Sequence, residues 1–146
     1  MKKLGSLSWA PWLTRLILLP PTIIFALIAF RYIANPAAAG AAVGISLDSP
    51  LAHTIARVGF GAFPLAFAIL TLACLLSTRR LITGLSLVGT ILGVALLVRI
   101  FGIFVDRTAR ESIGLVRAEA VLLALTAVGL LLELARRRHH AALPAK

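Results

Sequence analysis

The chain is predicted to be an all-α integral membrane protein, a bundle of four transmembrane helices with both termini in the cytoplasm. Its 146 residues are 60% hydrophobic and only 14% charged, with a mean hydropathy of +1.02, whereas a soluble domain contains roughly 25% charged residues. Four apolar segments are each long enough to cross a bilayer as a helix, which takes ~20 residues. The basic residues gather on one side of these segments, which orients the helices in the membrane.

The predicted spans belong to a single membrane domain, residues 1–146, and they cover residues 9–32, 50–78, 81–105 and 109–135. In the first span, Trp9, Trp12 and Tyr32 suit the two bilayer interfaces, where aromatic side chains concentrate. Pro20 and Pro21 remove two backbone donors and predict a kink in this helix. The helix is expected to remain uncleaved, because the proline pair interrupts the apolar core that a signal peptide needs.

Residues 34–48 form the longest connection, which is rich in Ala and Gly and is expected to be a short interfacial segment. The second span then starts with Ser49, a preferred N-cap residue, and Pro50, which suits the first helical position. Its predicted length exceeds the ~30 Å hydrocarbon core. We therefore expect this helix to tilt, bend at Pro64 or project from the membrane.

The asymmetry of the basic residues predicts the topology. By the positive-inside rule, the side richer in Lys and Arg faces the cytoplasm. Nine of the fifteen lie on the side of the termini, at Lys2, Lys3, Arg15, Arg79, Arg80, Arg136, Arg137, Arg138 and Lys146. On the opposite side, Thr108 is followed three residues later by Glu111, the capping-box pattern that predicts the start of the fourth helix.

Three charged residues, Arg57, Arg99 and Glu119, lie within three different predicted spans. Counting from the predicted helix starts and ends puts all three roughly 10–12 Å from the non-cytoplasmic side at 1.5 Å per residue. His53 lies four residues before Arg57, and Asp106 lies seven residues after Arg99, so each pair shares one helix face. Charges at such depth usually face the bundle interior and mark a functional site. The sequence therefore predicts a ligand-binding site formed by these five residues.

The charge balance of these residues suggests the ligand. Two arginines with one buried carboxylate leave an excess positive charge, which a water-filled cavity or an anionic partner would compensate. Because a guanidinium group suits phosphate and carboxylate, the chain is expected to bind or transport a small anionic or amphipathic molecule, or a lipid, in an outer-leaflet pocket. The alternative is a structural or assembly subunit of a larger membrane complex, with another membrane protein or a second copy as its partner. In that case Arg57, Arg99 and Glu119 would form a purely structural ion network.

Other function classes find less support in the sequence. A net charge of +10 can indicate nucleic-acid binding, but these basic residues lie beside apolar runs rather than on one exposed face, so no nucleic-acid partner is expected. No metal or cofactor is expected either, because the histidines lack metal-ligand spacing and only His53 is near a span, which argues against bis-histidine haem. Cys74 is the single cysteine and cannot form an intrachain disulfide. An enzyme ranks third, since no nucleophile and base are visible and no catalytic residue is assigned.

Five short stretches form a recognisable pattern: Asn35-Pro36-Ala-Ala-Ala, Gly44-Ile-Ser-Leu-Asp48, Arg57-Val-Gly-Phe-Gly61, Arg99-Ile-Phe-Gly102 with Asp106, and Glu119. Over roughly residues 14–136, this pattern resembles a family of bacterial four-helix membrane proteins that is known only as a domain of unknown function. The resemblance implies a multi-pass protein of the bacterial cytoplasmic (inner) membrane and the same four positions, Arg57, Arg99, Asp106 and Glu119. It implies no known reaction. The family often has glycine after the aspartate, where this chain has Arg107.

Overall fold

The structure is a computed structural model that describes residues 9–141, with side chains through His139. The predicted cytoplasmic charges at Lys2, Lys3 and Lys146 lie outside the described residues. Within residues 9–141 the chain is all-helical, which confirms the predicted class, and no strand is present. Four helical segments are long and apolar enough to cross a membrane, namely Ala10–Ala34, Pro50–Leu75, Thr78–Asp106 and Ala109–His139.

The first long helix, α1 (Ala10–Ala34), passes through Pro20 and Pro21 without ending. The connection that follows contains a short helix, α2 (Pro36–Ala41), inside the segment predicted to be interfacial. Asn35 caps this helix, since its Oδ1 accepts a hydrogen bond from the Ala38 amide at 3.1 Å. A proline at the first helical position completes the start signal.

The second span consists of α3 (Pro50–Ala56), a π-helical turn (Arg57–Ala62) and α4 (Phe63–Leu75). The π-helical turn is explained by Pro64, which has no N–H and whose ring disturbs the carbonyl four residues earlier. The helical turn contains one extra residue at this point, so the Phe63 amide donates to the Val58 carbonyl, five residues back. The irregularity expected at Pro64 therefore takes the form of a π-helical turn just before the proline.

The second span begins where the sequence predicts it but ends earlier than predicted. Ser49 is the N-cap as predicted, with its Oγ accepting from the Ala52 amide at 3.1 Å. At the other end, α4 stops at Leu75 rather than continuing to the predicted residue 78. Thr78–Arg80 instead forms a 3₁₀ turn, and the side chain of Arg15 donates to the Leu75 carbonyl at 3.1 Å, which satisfies one of the unpaired carbonyls of the helix end.

The third and fourth spans form an antiparallel hairpin of α5 (Leu81–Asp106) and α6 (Ala109–Ala141). The contacts between the two segments show the antiparallel order, because residues farther before the hairpin turn pair with residues farther after it. The pairs are Arg99 with Glu119, Gly89 with Thr126, Leu85 with Gly129, and Arg79 with Arg137. At 33 residues, α6 is about 50 Å long at 1.5 Å per residue. Its end at Ala141 lies beyond the predicted residue 135, because Glu133 pairs with Arg136 and Arg137 one turn later and keeps the basic tail helical.

The chain divides into two compact units, which we call the central unit (Leu19–Ala73) and the terminal unit (the residues before and after it). In the terminal unit, one face of α5 is buried, formed by Leu81, Leu85, Val88 and Leu92. The buried side chains of the central unit are mostly small, including Ala29, Ala56 and Ala68. Small residues let helix backbones approach closely, which is the packing mode of helices in lipid.

Candidate functional site

Arg99 and Glu119 form a closed ion pair between α5 and α6. The guanidinium donates from Nε to Oε2 at 2.9 Å and from Nη2 to Oε1 at 2.6 Å, so both carboxylate oxygens are engaged. The two side chains are 31% and 17% exposed. A two-pronged arginine–carboxylate contact is among the strongest hydrogen-bonded pairs in proteins. The structure thus brings together two of the five predicted site residues and neutralises them against each other.

The hairpin turn brings this pair together and carries a strained residue. Only Arg107 and Thr108 separate the two helices, so residues at similar distances from the turn face each other. Arg107 has a φ of 57°, in the left-handed region, which costs a residue with a Cβ atom roughly 1–2 kcal/mol. Glycine adopts this conformation freely. A glycine at position 107 would therefore fit this turn without strain.

Asp106, the last residue of α5, is not part of the Arg99–Glu119 pair. Its side chain is exposed, and Oδ2 lies 3.6 Å from the position that a Cβ on Gly102 would occupy. Within the described part of the chain, Asp106 forms no ion pair. Asp106 therefore takes no part in the ion pair between α5 and α6.

Arg57 lies in the central unit, at the first residue of the π-helical turn. Its Nε donates to the carbonyl oxygen of Ile33, near the end of α1, at 3.2 Å. The approach is close, because a Cβ on Gly61 would lie only 2.8 Å from a side-chain carbon of Ile33. Among residues 9–141, Arg57 has no carboxylate partner. Unlike Arg99, Arg57 therefore has no counter-charge among the residues that the structure describes.

His53, one helical turn before Arg57, has a partner of its own. The carbonyl oxygen of Leu47 accepts a hydrogen bond from its Nε2 at 3.1 Å. A carbonyl can only accept, so the proton is on Nε2. His53 holds the end of the connection against the start of α3 and leaves Nδ1 as its free ring nitrogen.

A groove of about 480 Å³ opens beside the end of α1, and sequence reasoning missed it. Arg31, Tyr32 and Asn35 supply its polar lining, while Ile28 and the alanines of α2 are among its apolar lining residues. The ring of Tyr32 also packs on Phe60 of the π-helical turn, with ring centroids 5.1 Å apart. Tyr32 therefore links the groove to the turn that begins with Arg57.

A second set of charges lies at the other end of the long helices. Glu133 is fully buried and accepts hydrogen bonds from Arg136 at 2.8 Å and from Arg137 at 3.0 Å. Arg137 also donates to the carbonyl of Arg79 at 2.7 Å, and Arg15 donates to Thr78 Oγ1 at 2.8 Å. These contacts hold the turn between α4 and α5.

Comparison of the chain with protein-family models, curated proteins and solved structures gave no match. The resemblance to the bacterial four-helix family therefore stays a prediction. Within the described residues, no group of three or more His, Cys, Asp or Glu side chains is arranged to hold a metal ion.

Proposed function

We propose that the chain is a multi-pass protein of the bacterial cytoplasmic membrane that binds a small anionic or amphipathic molecule in the outer leaflet. Arg57 is its main contact with the anion. The observation that supports this is the different charge balance of the two arginines. Glu119 neutralises Arg99, whereas the only side-chain hydrogen bond of Arg57 within the described residues is to a carbonyl.

The surface of the long helices favours insertion in a membrane. On α5, Leu97, Phe101 and Phe104 follow one another along one face and are 69%, 68% and 78% exposed. Such a continuous apolar surface marks contact with lipid or with another protein. In a bilayer these side chains face acyl chains, so their exposure carries no penalty.

The charges of the central unit favour an anion over a cation. Leu19–Ala73 contains the arginines Arg31 and Arg57 and a single acidic residue, Asp48. A guanidinium group left in hydrocarbon without a partner is costly. The Nη groups of Arg57 are suitable donors to a carboxylate or phosphate, which would remove that cost.

The arrangement of the termini can be tested by cysteine labelling. In a Cys74→Ser background, Arg110→Cys is expected to react with a membrane-impermeant maleimide on intact cells. Arg138→Cys is expected to react only after lysis, because the positive-inside rule places it in the cytoplasm. Labelling of the second variant on intact cells would contradict the proposed topology.

Binding can be tested by native mass spectrometry of protein extracted in a mild detergent. The wild type is expected to carry an anionic or amphipathic molecule, and Arg57→Gln is expected to lose it by about tenfold, the effect of losing one charge-assisted contact of ~1.5 kcal/mol or more. Arg110→Gln is the matched control, since it removes one exposed arginine elsewhere on the same side. Equal ligand content in the wild type and Arg57→Gln would reject the proposal.

The second candidate is a structural or assembly subunit of a larger membrane complex. The closed geometry of Arg99–Glu119 favours it, because a fully engaged pair can serve as a link between helices without any ligand. Gentle extraction would then recover a stable assembly with another membrane protein. Recovery of the chain alone, with a bound amphiphile, would favour the binding function instead.

A further inference from the structure

We infer that the groove beside the end of α1 is a binding site for one anionic glycerophospholipid of the outer leaflet. The lipid phosphate contacts Arg31 and Asn35, and one acyl chain runs along Ile28. Arg57 does not line this groove, so the groove is a second anion site in addition to the one at Arg57. It rests on the proposed function only for the class of ligand.

The polar lining of the groove has free donors for a phosphate. Arg31 lies in the last turn of α1, is exposed, and has no ion pair or side-chain hydrogen bond within residues 9–141. The side-chain oxygen of Asn35 is occupied by the Ala38 amide. Its NH₂ group therefore remains as a donor, one helical turn after Arg31. A cation and an amide donor side by side recognise a phosphate oxygen pair.

The polarity of the groove follows the depth expected in a bilayer. Arg31 lies three residues before the end of α1, and Ile28 lies three residues further into the span. Each step corresponds to roughly 4.5 Å along the helix at 1.5 Å per residue. The donors thus lie at the outer end, while the apolar wall of Ile28 continues toward the bilayer centre. A phospholipid of the outer leaflet has its phosphate and acyl chains in the same order.

The size and walls of the groove also suit part of a lipid. A volume of about 480 Å³ lies within the range of roughly 300–1,000 Å³ that small-molecule sites occupy. Ala38, Ala39 and Ala42 present small side chains along one wall. The groove can accommodate a headgroup with the upper part of one chain, while the rest of the lipid stays in the bilayer.

The test uses the full-length protein in bilayer discs of phosphatidylcholine with a minor share of phosphatidylglycerol of the same acyl chains. Native mass spectrometry counts the lipids that remain bound. We expect the wild type to retain phosphatidylglycerol in preference to phosphatidylcholine, and Arg31→Gln to lower that preference about tenfold. Asn35→Asp should lower it as well, because aspartate caps α2 equally well but replaces the amide donor by a negative charge.

The outcomes separate this site from the role of Arg57. If Arg31→Gln and Asn35→Asp retain phosphatidylglycerol while Arg57→Gln loses its ligand, the groove assignment is overturned and the proposed function stands. If Arg31→Gln and Asn35→Asp lose phosphatidylglycerol while Arg57→Gln retains its ligand, the groove assignment stands and the proposed role of Arg57 is rejected. If the wild type retains the two lipids in proportion to their shares of the bilayer, charge plays no part and the assignment is also overturned.

Discussion

The Arg99–Glu119 pair gives the sharpest prediction, which is an energetic coupling between α5 and α6. Glu119→Gln leaves a guanidinium without its counter-charge. At the centre of a span, such a charge costs roughly 2.5–3.5 kcal/mol, but Arg99 is seven residues from the end of α5 and its long side chain can extend outward. We therefore expect a loss of about 2 kcal/mol of folding free energy. Arg99→Gln should cost a similar amount, because Glu119 is only 17% exposed.

The double variant Arg99→Gln with Glu119→Gln should lose much less folding free energy than the sum of the losses in the two single variants, since no charge is left unpaired. A double-mutant cycle isolates this difference, and we expect a coupling of about 2 kcal/mol. The assay is unfolding by sodium dodecyl sulfate in mixed micelles, followed by circular dichroism. Ordinary hydrogen bonds between membrane helices average only about 0.6 kcal/mol. A coupling at or below that value would refute the assignment of an ion pair.

Three further predictions use the same unfolding assay. Arg107→Gly should raise the free energy of unfolding by about 1 kcal/mol, because glycine adopts the left-handed conformation of the hairpin turn without strain. A destabilised variant would be evidence against this turn. Gly84→Ala should cost about 1–3 kcal/mol, since the added Cβ would lie 2.8 Å from Cys74. Gly93→Ala, with no atom within 4 Å, should instead be neutral or stabilising by up to about 1 kcal/mol, so equal losses would count against the packing. Glu133→Gln should cost about 2–3 kcal/mol, because it leaves two arginines without their buried partner, whereas the exposed Glu111→Gln should cost less than about 1 kcal/mol.

Sequence alone predicted the helical class and most of the helix boundaries, because local signals determine them. Ser49 and Pro50 marked the start of α3 through the N-cap and first-turn preferences. The same signal stands at Asn35 and Pro36 and starts α2, in a segment whose alanine and glycine content had suggested only a short interfacial connection. A short cap-and-proline signal therefore outweighs composition here.

Other features depend on partners far apart in the chain, which pattern reasoning cannot supply. The early end of α4 depends on Arg15, sixty residues before Leu75. The groove at Arg31 arises from the way α2 follows α1, and no periodicity in the sequence encodes it. Counting residues from the helix ends correctly placed Arg99 and Glu119 at the same depth. It could not predict that the two side chains would bind each other through two hydrogen bonds.

The central claim is that Arg57 binds the anion, whereas Arg99 is neutralised by Glu119. It can be tested by comparing the amount of ligand bound to two variants. One is Arg57→Gln, and the other is Arg99→Gln combined with Glu119→Gln, which removes an ion pair with no change in net charge. We predict that native mass spectra show bound anionic amphiphile on the second variant at the wild-type level and a lower amount on the first. The reverse pattern, with the amphiphile retained by Arg57→Gln and lost when the ion pair is removed, would contradict this account.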